Sequence, residues 1–129
     1  MSTTEASERE AIAATVQKYI DGIANSSPDV LREAFHADAV MTGYFGDSYM
    51  VTQNAGEMIA AFMDAMPPTS EHSPNFQGRI LSIVQHGTMA AAEIAEDQLQ
   101  GKDMKTFFHL HKIDGRWQIV AKATWAPEG

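Results

Sequence analysis

The chain's 129 residues (14.1 kDa) suit one domain, and at that size folding buries roughly two-thirds of the unfolded surface, so no disulfide or metal is needed to hold a core. Hydrophobic content of 44% with 20% charged residues lies in the globular range and excludes a disordered chain. Nine Lys and Arg against 17 Asp and Glu give a net charge of −8, which argues against nucleic acid and anionic membrane as partners, and the absence of cysteine removes disulfides, thiolate nucleophiles and cysteine zinc sites.

Met1 to Ser7 is polar and acidic without a basic segment, and no apolar run approaches the ~18 residues of a membrane span, so a soluble cytoplasmic protein is expected. One domain is expected over 1–129, with residues 1–6 frayed. Ser7 and Glu10 fit a capping box, with an earlier turn from Thr4 as an alternative start. Ile12, Val16, Tyr19, Ile20 and Ile23 then repeat at helical spacing. Ser27 as N-cap, Pro28 at N1 and Asp29 in the first turn open a second helix whose buried face is Val30, Leu31, Ala34 and Phe35.

His36 to Asp38 reads as a connector. Ala39 to Phe45 and Ser48 to Gln53 read as strands about a Gly46-Asp47 turn. Asn54 and Glu57 start a third helix with Met58, Ile59, Phe62, Met63 and Met66 on its face, and Pro67-Pro68 stops it before a loop over Thr69 to Asn75. The period then changes. Arg79 to Gln85, Thr88 to Gln98, Met104 to Ile113 and Arg116 to Trp125 are four long antiparallel strands, turning at His86-Gly87, around Gly101, and at Asp114-Gly115, a type I′ signal. Three helices, a small hairpin and four strands make an α+β fold, a curved sheet wrapping helices on one face.

If Ile113 pairs with Arg116, unbroken counting sets Leu110 opposite Ile119, Phe108 opposite Ala121 and Thr106 opposite Ala123. Trp117, Ile119, Ala121, Ala123 and Trp125 then face the helices with Thr106, Phe108 and Leu110, while Phe107, His109, His111, Gln118, Val120 and Lys122 take the other face. Ala90 and Ala92 repeat the small-residue pattern beside Ile94 and Glu96. Small side chains under methionine-bearing helices leave either a cavity or a tight Met–Ala packing, and both readings stay open.

The run from Tyr19 to Val40, the Phe35-His36-Ala37-Asp38-Ala39 junction and the hairpin from Lys112 through Asp114-Gly115 to Val120 resemble the nuclear transport factor 2-like superfamily. Within it the chain most resembles the SnoaL-like, or lumazine-binding, branch, over nearly its whole length. The resemblance implies a cone-shaped α+β barrel, a pocket between helices and concave sheet, and a dimer through the opposite sheet face. It is specific for fold and not for function, since the fold hosts isomerases, dehydratases, cyclases and binding modules. In the ketosteroid isomerase relatives, a tyrosine on the first helix works with an aspartate base and a protonated acid; the neutral acid of that enzyme is a standard example of pKa tuning. Tyr19 falls at the tyrosine position, Gly43 at the base position, and Thr106 and Phe107 where the second acid belongs, so the resemblance does not extend to steroid-isomerase chemistry.

Tyr19, Thr42, Tyr44, Met58, Phe62, Glu96, Thr106, Phe108 and Trp125 are the candidate pocket residues. For Tyr19 the alternative is a core tyrosine bonded to backbone, for Glu96 a solvated strand end, and for the aromatics plain core. His109 and His111 share a strand face, but no third ligand accompanies them, so no metal site is expected. With Phe107 they instead mark the expected homodimer face. No phosphate loop, H-E-x-x-H or G-x-S-x-G occurs, and no cofactor is expected. The expectation is a small-molecule-binding protein with an apolar pocket for a flat or cyclic metabolite, its catalytic residues unassigned. Two alternatives remain open. One is an isomerase, dehydratase or cyclase in which Tyr19 polarises a carbonyl and an unidentified carboxylate or histidine moves the proton; the other is a dimeric interaction module.

Overall fold

The computed structural model describes residues 2–45 and 47–127, with backbone alone at residues 2–6 and at Phe45. Helix α1 (Ser2–Ala24) starts ahead of the expected Ser7 cap, which lies inside it, and Met1 of the expected frayed segment lies outside the described residues. Ile12, Val16, Tyr19, Ile20 and Ile23 are all at most 4% exposed, as their spacing requires. After α2 (Pro28–Ala34), strand β1 runs from Phe35 to Phe45 and takes in the expected connector His36 to Asp38. Phe35 pairs with Ile119 of the last strand, the ladder is interrupted, and it resumes at Val40.

Strand β2 (Ser48–Thr52) completes the small hairpin; Gly46 of its expected turn lies outside the described residues. Helix α3 (Ala55–Ala65) is rotated from its expected face. It buries Ala55, Gly56, Ile59, Ala60 and Met63, leaving Met58 52% and Phe62 59% exposed. Close approach is the cause: a Cβ on Gly56 would stand 2.7 Å from Phe35 Cβ, so the face with Gly56 and Ala60 seats on β1 and turns Met58 and Phe62 outward. The expected loop from Thr69 holds a one-turn helix, α4 (Thr69–His72). Its Thr69 amide donates to Ser26 Oγ (2.7 Å) and its hydroxyl to the Ile23 carbonyl, tying the turn to the end of α1.

Strands β3 (Gln77–His86), β4 (Met89–Leu99), β5 (Lys102–Ile113) and β6 (Arg116–Trp125) follow as expected, and the sheet order is β2-β1-β6-β5-β4-β3. All pairs are antiparallel except β1 with β6. Asp114 (φ 52°) and Gly115 (φ 79°) both occupy the left-handed region, as a type I′ turn demands. Helix α1 lies across β3 and β6, α3 against β1, with α2 between them, making the cone-shaped α+β arrangement. Among the described residues no helix is long and apolar enough to cross a membrane.

The register of the last hairpin departs from unbroken counting at one point. Leu110 pairs with Ile119, but the next partners are His109 with Ala121, then Phe108 with Lys122 and Thr106 with Thr124. Val120 is the extra residue of a β-bulge, and side-chain alternation on β6 reverses beyond it. Trp117 and Ile119 face the helices as expected; Ala121, Ala123 and Trp125 do not. Lys122 and Thr124 take the inward positions instead. Phe107, His109 and His111 keep the outer face, and Ala90 and Ala92 keep the inner one, each 3% exposed.

Candidate functional site

Adjacent rungs on the inner face bring together the buried polar side chains of Lys122, Thr106 and Glu96. One rung reads Ala92, Phe108, Lys122 and Met41; the next reads Ile94, Thr106, Thr124 and Gly43; Glu96 on β4 lies one position further on. Tyr19 reaches this surface from α1. Its ring meets Phe108 and Phe35 edge-on, at centroid distances of 5.0 and 6.0 Å.

Glu96 is 1% exposed and accepts two side-chain hydrogen bonds, from Tyr19 Oη to Oε2 (3.0 Å) and from Thr106 Oγ1 to Oε1 (2.5 Å). Thr106 and Thr124 hydroxyls are 2.9 Å apart, and Lys122 Nζ donates to Thr124 Oγ1 at 2.8 Å. An ammonium has only donors and an ionised carboxylate only acceptors. The two hydroxyls therefore align in one direction: Lys122 to Thr124, Thr124 to Thr106, Thr106 to Glu96. Lys122 Nζ also sits 5.8 Å from the centre of the Tyr19 ring and 3.8 Å from Met41 Sδ.

Burial pushes the Tyr19 phenol well above its usual value, and the charge and hydrogen bond of Glu96 push it further the same way, so Tyr19 stays a donor. Burial pulls Lys122 down, against the opposing pull of the Glu96 charge.

Of the nine candidate pocket residues, Tyr19, Glu96, Thr106 and Phe108 come together. Thr42, Tyr44 and Trp125 lie on the outer sheet face, with Tyr44 72% and Trp125 62% exposed, and Met58 and Phe62 point outward from α3. Lys122 and Thr124 were absent from the candidates because unbroken alternation sends both to other places. The only local signal is Ile119-Val120, two β-branched residues in succession where alternation asks for one.

The outer face carries a trough of about 340 Å³ lined by Ala91, Ala121, Ala123, Phe107, Val84 and Thr42, among others. The small residues thus leave room on the side of the sheet away from the helices. His109 and His111 are exposed on that face, and among the described residues no group of three or more His, Asp or Glu is disposed to hold a metal.

The family model described as "Putative lumazine-binding" matches residues 7–125. The chain belongs to this family. Its fold is that of the nuclear transport factor 2-like superfamily. An NTF2-like protein of unknown function from Shewanella baltica superposes with a TM-score of 0.84 at 27% identity, covering 96% of this chain and 97% of that one. A ketosteroid isomerase-like protein from Erwinia carotovora atroseptica shares the fold at a TM-score of 0.71 and 16% identity, covering 93% and 96% of the two chains. The curated protein "Aldolase FrzH" of Cladobotryum sp is 26% identical over 117 residues, covering 90% of this chain and 89% of that protein.

Gly43 brings no side chain to the polar cluster. A Cβ there would meet nothing nearer than the Thr124 carbonyl oxygen at 3.5 Å, so β1 leaves space beside Thr124. The carboxylate comes instead from Glu96 on β4, reached through two threonines.

The lowered Lys122 value sets a sign for stability against pH. Between its folded value and the ordinary 10.5, the unfolded chain binds more protons, so the Lys122 contribution to stability improves as pH rises. Wild type is therefore expected to gain on Lys122→Met in urea unfolding as pH rises toward the ordinary lysine value, measured up to about pH 9.5, below the ordinary titration of tyrosine. A difference between the two proteins that stays constant with pH contradicts the assignment.

Proposed function

We propose that the chain binds a small carbonyl compound at the Tyr19–Glu96 pair and moves a proton on the carbon beside the carbonyl. The observation that carries this reading is the pairing of a buried carboxylate with two hydroxyl donors and a buried lysine inside an otherwise apolar core. Taking two ionisable groups out of water costs several kcal/mol each, a cost that apolar residues of like volume avoid. Groups held in that way are candidates for acid–base work.

In this reading the Tyr19 hydroxyl turns from Glu96 to the carbonyl oxygen, donating the hydrogen bond that strengthens as negative charge develops there. Glu96, released from one of its two donors, accepts the proton from the adjacent carbon. Half-buried Met41 and Thr124, with the gap at Gly43, form the approach to the cluster. The aldolase named among the relatives, itself an enzyme of carbonyl substrates, supports the substrate class.

A second observation favours self-association as well. Phe107 (60% exposed), Val84 (53%), Met89 (50%) and Trp125 (62%) stand around or near the outer trough, more apolar surface on one sheet face than a monomer usually leaves bare. We read this face as the contact with a second copy, His109 and His111 included, and the cytoplasm as the compartment, consistent with the acidic surface and cysteine-free chain.

Cyclohexanone in D₂O, followed by proton NMR, tests the chemistry. Exchange at its α-carbon is expected to be catalysed by wild type and to fall by ~100-fold or more in Glu96→Gln, the scale of a lost general base. Equal exchange by wild type and Glu96→Gln overturns the reading. For the outer face, Phe107→Glu is expected to halve the mass seen by analytical ultracentrifugation; a dimer of unchanged mass in that variant removes the face from the interface.

A further inference from the structure

Among the described residues no carboxylate lies within ion-pair distance of Lys122 Nζ, although the side chain is buried. Its contacts are one hydroxyl, one thioether and one aromatic ring. The other lysines differ. Lys18 and Lys112 pair with Glu33 and Glu8, Lys102 is exposed, and Lys105 is half-buried. A lysine taken out of water without a counter-ion in contact favours its neutral form, in which the nitrogen lone pair is available.

We propose that Lys122 is an amine nucleophile that captures a ketone or aldehyde as an iminium ion, with Thr124 and Thr106 carrying its proton to Glu96. The proposal rests on the carbonyl reading above and adds a covalent step to it. Each hydroxyl in the chain Lys122–Thr124–Thr106–Glu96 can pass one proton and receive another, over separations of 2.8, 2.9 and 2.5 Å. The ammonium gives up a proton along this line. The neutral nitrogen adds to the carbonyl carbon, and its second proton goes to the resulting alkoxide. The proton held on Glu96 then goes to the departing hydroxyl, which leaves as water as the C=N⁺ bond forms. Ammonium plus carbonyl thus gives iminium plus water, with no other reactant. The cationic nitrogen acidifies the adjacent C–H bonds, and Glu96, again a carboxylate, is the base that removes one. Lys122 is catalytic in this scheme; Thr106 and Thr124 are positioning residues that act through it.

The test is reductive trapping. Wild type is incubated at neutral pH with cyclohexanone and sodium cyanoborohydride, and modified lysines are located by peptide mass spectrometry. Cyanoborohydride delivers hydride to an iminium carbon and fixes the adduct as a secondary amine. Labelling of Lys122 is expected at ~10-fold or more above the mean of Lys18, Lys102, Lys105 and Lys112, as a desolvated amine outcompetes ammoniums in water. Lys122→Arg, which keeps a donor toward Thr124, is expected to lose that adduct, and Thr124→Val to form it several-fold more slowly while Lys122 remains present.

Label spread over the four other lysines with Lys122 spared overturns the proposal. So does label on Lys122 that Thr124→Val leaves at full rate, as far as the relay is concerned. The two readings fail separately. Glu96-dependent α-proton exchange that persists in Lys122→Arg retains the Tyr19–Glu96 site and rejects the covalent step, whereas trapping at Lys122 without catalysed exchange rejects proton transfer and retains the amine.

Discussion

Strand β6 accommodates one residue more than β5 between Ile119 and Ala121, and everything distinctive about the interior depends on that extra residue. Before Val120, the strand offers Trp117 and Ile119 to the helices, two large apolar side chains under α1. Beyond it, the same strand offers Lys122 and Thr124. A sheet side chain has two directions open to it, so one inserted residue is enough to exchange alanines for a lysine in the core.

The exchange has consequences on both faces of the sheet. Inside, Lys122 enters beside the Tyr19 ring and completes a line of hydrogen bonds ending at Glu96. Among the described residues neither end of that line has a direct ion pair, so the cluster draws its stability from hydroxyl bonds and from the apolar packing of Phe108 and Phe35 around it. Outside, Ala121 and Ala123 on β6 and Ala91 on β4 line the trough that Phe107 overlooks. A single local irregularity thus joins the polar interior to the apolar exterior.

Most of the architecture was legible in the residues. Helical spacing locates the buried face of α1, Asp114-Gly115 marks the last hairpin, strand alternation sets Glu96 on one face with Ala90 and Ala92, and family likeness points Tyr19 of the first helix toward the same interior. Two kinds of feature were not. The rotation of α3 depends on how closely Gly56 can approach Phe35, a tertiary contact that a pattern of methionines and Phe62 does not report. The bulge depends on competition between two strand phases, and Val120-Ala121-Lys122-Ala123 is nearly as acceptable in either. Alanine fits inside or outside, and a lysine's long stem makes burial appear unfavourable until its partners are known. The expected pocket followed the alanines, and so the polar residues of β6 were missed.

Side-chain contacts of Lys122 test this account most directly. In a NOESY spectrum of the folded protein, the bulged register predicts cross-peaks from the Lys122 methylenes to the Tyr19 ring and a backbone pairing of Phe108 with Lys122. A spectrum in which Phe108 instead pairs with Ala121, and the Lys122 methylenes contact residues of the outer face such as Phe107, would contradict it.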